Sequence, residues 1–240
     1  MLINQELCVQ CESCRPYCPV GAIELAQDGV VVVNQDTCVE CNACLRADVC
    51  PVGAIEAPQL SWPRVLRNTF SDPYGKHEST QHIGRGTEEV KTNDVTGLVK
   101  PGYAGFAVEV GRPGISGSFR DVEKLTTALA NLSYVCFAEK SPVTSFIVDR
   151  STGKLRPDIL EERFLSSIIE FIVPEDKVCE VVGCLQKASQ EVDTVFTVAA
   201  FFATGPAGEI PSREFLASLG LEVSPAGKTN LGLGRPLAGR

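Results

Sequence analysis

A cysteine motif written twice limits what the first quarter of this chain can become. Residues 8–24 read CVQCESCRPYCPVGAIE, and residues 38–56 read CVECNACLRADVCPVGAIE. The first copy is C-x2-C-x2-C-x3-C-P, with Cys8, Cys11, Cys14, Cys18 and Pro19. The second is C-x2-C-x2-C-x5-C-P, with Cys38, Cys41, Cys44, Cys50 and Pro51. Three thiolates at i, i+3 and i+6 wrap a tight loop around one iron–sulfur cubane, whose soft metal favours sulfur. The fourth cysteine stands apart, and the proline behind it removes a backbone donor and sets φ where the chain leaves the site. Each PVGAIE tail then supplies a turn glycine and a short apolar β-segment. GVVVVNQ, residues 29–35, lies between the motifs as a β-rich bridge. Paired zinc sites would normally show facing CxxC hairpins, not a CxxCxxC run followed by Cys-Pro.

With these motifs, residues 1–57 resemble the bacterial ferredoxins that carry two [4Fe–4S] clusters. The resemblance implies that each remote cysteine serves the other cluster. Cys8, Cys11, Cys14 and Cys50 would hold the first cluster, and Cys38, Cys41, Cys44 and Cys18 the second. It also implies two [4Fe–4S] clusters as cofactors and a one-electron relay. The one departure is two extra residues in LRADV, between Cys44 and Cys50, which lengthen a loop beside the first cluster without removing a ligand. A unit of this size buries little core, so ligation free energy would also be folding free energy.

Eleven cysteines would suggest disulfides in an oxidising compartment. The opening MLINQELC has no basic or apolar leader, so the expected location is cytoplasmic and the expected role is metal ligation. No run of eighteen apolar residues occurs, and no membrane span is expected. Net charge is −8, and residues 1–57 hold eight acids against two bases, a share of −6. Such a surface disfavours nucleic acid. It suits a redox partner protein with a basic docking face. Negative charge also disfavours adding an electron, which points toward the low end of the potential range open to such clusters.

Residues 58–103 form a polar, glycine-rich bridge. Pro73, Gly75, Gly84, Gly86 and Gly97 break any long helix there, and both histidines of the chain fall within it. It reads either as a solvated linker or as a strip that binds substrate and donates protons. In the second reading His77, His82, Glu88 and Lys91 are the candidate catalytic residues, because histidine titrates near neutrality. A mononuclear metal site built from the two histidines and a carboxylate is a third reading.

Residues 104–203 parse as two β–α–β passages: a strand at 104–111, a helix at 118–132 and a strand at 134–139, then a strand at 165–174, a helix at 175–191 and a strand at 193–202. The expected class is therefore α+β, a ferredoxin module followed by a βαββαβ open sandwich of the ferredoxin-like or ACT-like kind. The loop GRPGISGS, residues 111–118, is a turn before a helix capped by Ser118, or an anion cradle assisted by Arg112. Cys136, Cys179 and Cys184 are expected in the core. Residues 204–240 form a Gly/Pro-rich tail with one short helix at 212–220. On this reading, oligomerisation would run through this domain or the tail.

DPYGKHESTQHIGRGTEEVKTNDVTG, followed by VEVGRPG, resembles the iron–sulfur portion of 6-hydroxynicotinate reductases. That resemblance implies a low-potential, ferredoxin-linked ring reduction, with a second polypeptide or domain completing the enzyme and the substrate near residues 77–94. Three functions stay open: an electron-transfer module, a reductase or reductase subunit, and a redox or ligand sensor. No Walker A loop or Rossmann fingerprint points to nucleotide chemistry.

Overall fold

The computed structural model describes residues 1–77, 97–203 and 212–223. Within the first 57 residues, β1 (Leu2–Ile3) pairs antiparallel with β4 (Ile55–Glu56), and β2 (Ile23–Leu25) pairs with β3 (Val31–Val33). Strands β2 and β4 are the ends of the two PVGAIE tails. Ahead of them, Gly21 and Gly53 turn the chain at φ of 66° and 63°, a left-handed conformation that glycine adopts without steric cost. The extra residues of the second motif extend a helical turn, α1 (Ala43–Arg46). The small core here is Met1, Ala22, Ile23, Val31 and Ile55, completed by Cys38 and Cys44.

The bridge does more than link. Its helix α2 (Val65–Thr69) buries Leu66, and the adjacent Phe70 joins it in the main core. Phe70 meets Phe119 edge-on at 5.3 Å between ring centres.

The main sheet contains β5 (Tyr103–Val110), β7 (Cys136–Phe137), β11 (Ser167–Pro174) and β12 (Phe196–Phe202). They lie in the order β12-β5-β11-β7, with every neighbouring pair antiparallel. Helices α3 (Phe119–Ala130) and α4 (Val178–Ala188) cover one face. Alternate strand residues Phe106, Val108, Ile169 and Phe171 meet Val122, Leu125 and Leu129 of α3 and Val181 and Leu185 of α4. Ser118 caps α3 as expected, in a reciprocal box with Asp121.

Several expectations need correction. The strand expected at 134–139 shortens to β7. The helix expected at 175–191 opens with a 3-10 turn, Glu175–Lys177, before α4. Residues 140–164 carry a hairpin, β8 (Ile147–Asp149) with β9 (Lys154–Leu155), and then β10 (Arg163–Phe164). Strand β10 pairs with β6 (Gly117–Ser118). The cysteines expected in the core are not in it: Cys136 and Cys179 are exposed and Cys184 is half-buried. Phe137, not Cys136, points to the helix side, and α4 buries Val178, Val181, Leu185 and Ala188, one residue out of step with its cysteines. Beyond the sheet, α5 (Ser212–Ser218) sets Phe215 edge-on to Phe202 at 5.7 Å.

Candidate metal centre

The eight motif cysteines line two separate hollows. Cys8, Cys11, Cys14 and Cys50 surround one of about 340 Å³, together with Ile3, Val9, Val31 and Val52. Cys18, Cys38, Cys41 and Cys44 surround another of about 290 Å³, with Val20, Val33 and Val39. Each hollow thus takes three cysteines from one motif and the fourth from the other. Among the described residues, no three His, Cys, Asp or Glu side chains are placed to hold a single metal ion. Zinc would need four sulfurs about 2.3 Å from one point. Sulfurs spread around an apolar hollow fit a polynuclear cluster instead.

Backbone conformation makes the hollows. Gln10 and Glu12 adopt φ of 56° and 60° on either side of Cys11. Glu40 and Asn42 repeat this at 53° and 56° on either side of Cys41. Left-handed residues alternating with ordinary ones curl the chain into an anion-binding nest, a form suited to iron–sulfur sites. At the remote cysteines, the Ala22 amide donates to Cys18 Sγ at 3.1 Å and the Ala54 amide to Cys50 Sγ at 3.2 Å. The glycine turn places these amides. That geometry accounts for the duplicated tail: the cysteine, turn glycine and alanine amide act together.

The two hollows differ in their surroundings. The second is tied down from outside its own module. Arg67 of α2 donates to the carbonyls of Gln35, Asp36 and Cys38 at 2.9, 3.0 and 2.8 Å, and its Nε bonds Glu162. Asn68 Nδ2 donates to the Glu40 carbonyl at 2.8 Å. The buried Glu40 carboxylate pairs with Arg64 at 2.6 Å and accepts from the Met1 amino group. Arg46 bonds both Asp72 and the Cys41 carbonyl at 2.8 Å. Val39 and Cys41 pack against Leu165 of the main domain. Among the described residues the first hollow has no such cover, and Cys11 there is exposed.

Burial, followed by the charges of Cys41, Cys18 and Cys38, pushes the Cys44 thiol up to about 11. Burial also raises Cys14 and Cys41. Hydrogen bonds from Ser13 lower the exposed Cys11. Iron ligation must therefore release protons, most of all at the second set.

Of the other candidate residues, His77 is buried, with its ring edge-on to Phe70 at 4.6 Å, and burial lowers its pKa. His82, Glu88 and Lys91 lie outside the described residues. The loop 111–118 is occupied otherwise than as an anion cradle. Gly114 donates its amide to the carbonyl of Pro19, at 2.5 Å. Arg112 is spent on Glu109, on the Gly111 carbonyl and on Thr197. Sequence reasoning missed Arg67, Asn68 and Leu165. The spacing of Arg64, Arg67 and Asn68 at i, i+3 and i+4 in PRVLRNTF was the available signal for a polar helix face.

Residues 1–57 match the family described as the 4Fe-4S dicluster domain. This agrees with the ferredoxin resemblance and makes the first quarter of the chain an iron–sulfur-binding module. No curated protein and no solved structure matches the chain, so the likeness to 6-hydroxynicotinate reductase has no support there. Among the described residues no helix is long and apolar enough to cross a membrane.

Proposed function

We propose that this protein carries single electrons on two [4Fe–4S] clusters in the crossed arrangement, with Cys8, Cys11, Cys14 and Cys50 holding one and Cys38, Cys41, Cys44 and Cys18 the other. The partition of the eight cysteines between two hollows carries this reading. When bound, the clusters supply reversible one-electron oxidation and reduction. The protein's own residues do the rest. Apolar linings exclude water, the Ala22 and Ala54 amides stabilise negative charge on sulfur, and the arginine network holds the second loop in place. The −6 charge of the module disfavours an added electron and attracts a partner with a basic docking face. A reducing compartment, the cytoplasm, suits cysteines kept for iron. The strand order β12-β5-β11-β7, with two helices on one face, supports reading the main domain as a βαββαβ open sandwich of the ferredoxin-like or ACT-like kind.

The test is purification without oxygen, followed by iron and acid-labile sulfide assays and electron paramagnetic resonance of the reduced protein. Iron and sulfide matching two [4Fe–4S] clusters are expected. In Cys50→Ser the signal of the first cluster should change, and in Cys18→Ser that of the second. A colourless, sulfide-free protein containing zinc would end the proposal.

A further inference from the structure

Both motifs place a valine directly after their first cysteine, so Val9 and Val39 hold equivalent positions in the repeat. Val9 is 59% exposed, whereas Val39 is 1% exposed beneath Leu165. The same contrast separates exposed Cys11 from buried Cys41. Val9 and Val52 line the first hollow and are exposed, as is Leu7, the residue before Cys8. Glu6 and Asp48 are exposed and Glu12 is half-buried beside it in the chain, and Arg15 pairs with Glu12. Around the second hollow, the corresponding edge is taken by the protein itself: Leu165 on Val39 and Cys41, Gly114 on Pro19, and Arg67 on the loop carbonyls.

We infer that this protein exchanges electrons with its partners through a single port, the edge made by Leu7, Val9, Cys11 and Val52. The occupant it fits is a basic electron-transfer protein, whose redox centre lies behind an apolar patch ringed by lysines and arginines. An apolar centre gives close approach, and the acidic rim steers encounter. Among the described residues, Val39 and Cys41, the counterparts of Val9 and Cys11 in the second set, are covered, so donor and acceptor dock in turn at the first. The protein is then a shuttle that releases one partner before engaging the next. This inference rests on the two-cluster reading above.

The experiment uses the complete loaded protein and ferric cytochrome c as a basic one-electron probe. One electron leaves the reduced protein and the ferric haem becomes ferrous, with no bond made or broken. Val9→Arg places a positive charge in the port. It should lower the second-order rate about tenfold or more and flatten its dependence on salt. Leu45→Arg, at an exposed position beside Cys44, and Val148→Arg, exposed on the β8–β9 hairpin, should stay within about twofold of the parent. Carbodiimide cross-linking gives a readout independent of turnover, and lysines of the probe should be joined to Glu6, Glu12 or Asp48. If Val9→Arg fails to load iron, Val52→Arg makes the same test.

A Val9→Arg rate equal to the parent overturns the single port, as does an equal loss in Leu45→Arg. Cross-links confined to acids outside residues 1–57, or joining two copies of this chain, overturn it too. Dithionite bleaching of the loaded protein keeps the two readings apart. If bleaching fails, the relay is wrong; if bleaching is normal and Val9→Arg is silent, only the port is wrong.

Discussion

Arg67 donates to the carbonyl oxygen of Cys38 at 2.8 Å, across 29 residues of sequence. The same guanidinium also holds Glu162, so one side chain from α2 joins the second cysteine loop to the strand region of the main domain. Three loop carbonyls converge on it, and it is buried. The rigidity of the second site is thus set by a residue outside the cysteine module.

Replacing Arg67 with alanine strands those carbonyls and leaves the Glu162 carboxylate without its partner in a mostly buried setting. Breaking a buried pair on one side costs about 3–5 kcal/mol. Urea unfolding of the loaded protein should show a loss in that range. Arg67→Lys, which keeps charge without the fork, should recover only part of it. A loss below about 1 kcal/mol would show that the network is not structurally important.

Gly21 and Gly53 both sit at positive φ with open space where a Cβ would stand. Alanine at either site therefore meets conformational strain without a clash, worth about 1–2 kcal/mol. The proposed crossed arrangement makes the two variants distinguishable. Gly21→Ala moves the amide that bonds Cys18, so it should alter the resonance signal of the second cluster. Gly53→Ala should alter the first through Cys50. A reversed assignment would contradict the crossed ligands.

Gln10, Glu12, Glu40 and Asn42 are held in left-handed conformations that cost roughly 1–2 kcal/mol each for residues with a side chain. Cysteine ligation offsets that cost, so chelating the iron should release both loops. Hydrogen exchange should then become fast across residues 1–57, while paired amides of β5 and β11 stay protected by the main core. Unchanged protection in residues 1–57 would mean that the module folds without metal.

Burial lowers the pKa of His77 below its usual 6.5. The unfolded chain then binds the proton first. The stability associated with this residue is intact above about pH 6.5, declines as pH falls through that value, and levels off below the folded-state pKa. In a His82→Asn background, the remaining imidazole should titrate below 6.5 by nuclear magnetic resonance in the folded protein. A titration at or above 6.5 would place His77 in contact with solvent or an acid.

The duplicated motif alone announced the iron–sulfur module, its eight cysteines and its repeated glycine turn, because ligand spacing and left-handed turns are local properties. The mixture of helix and strand was also readable from apolar strand segments and amphipathic helices, with Ser118 marking a helix start. The interior of the main domain was harder. The β8–β9 hairpin and the β6–β10 pair are only two or three residues long in each strand. Such lengths leave no hydrophobic period to detect. Cys136 and Cys179 looked apolar in sequence yet landed one position away from the buried stripe.

The primary structure by itself determined two nearly equivalent cysteine loops and could not tell them apart: each carries a valine after its first cysteine and an alanine amide beyond its last. Only the tertiary structure decided that Val39 lies under Leu165 while Val9 meets water. The reason is that Leu165 and Arg67 reach the second loop, and Gly114 reaches Pro19 at the same hollow, from 29 to 126 residues away. Contacts at that range depend on how sheet and helices pack, and no local spacing records them.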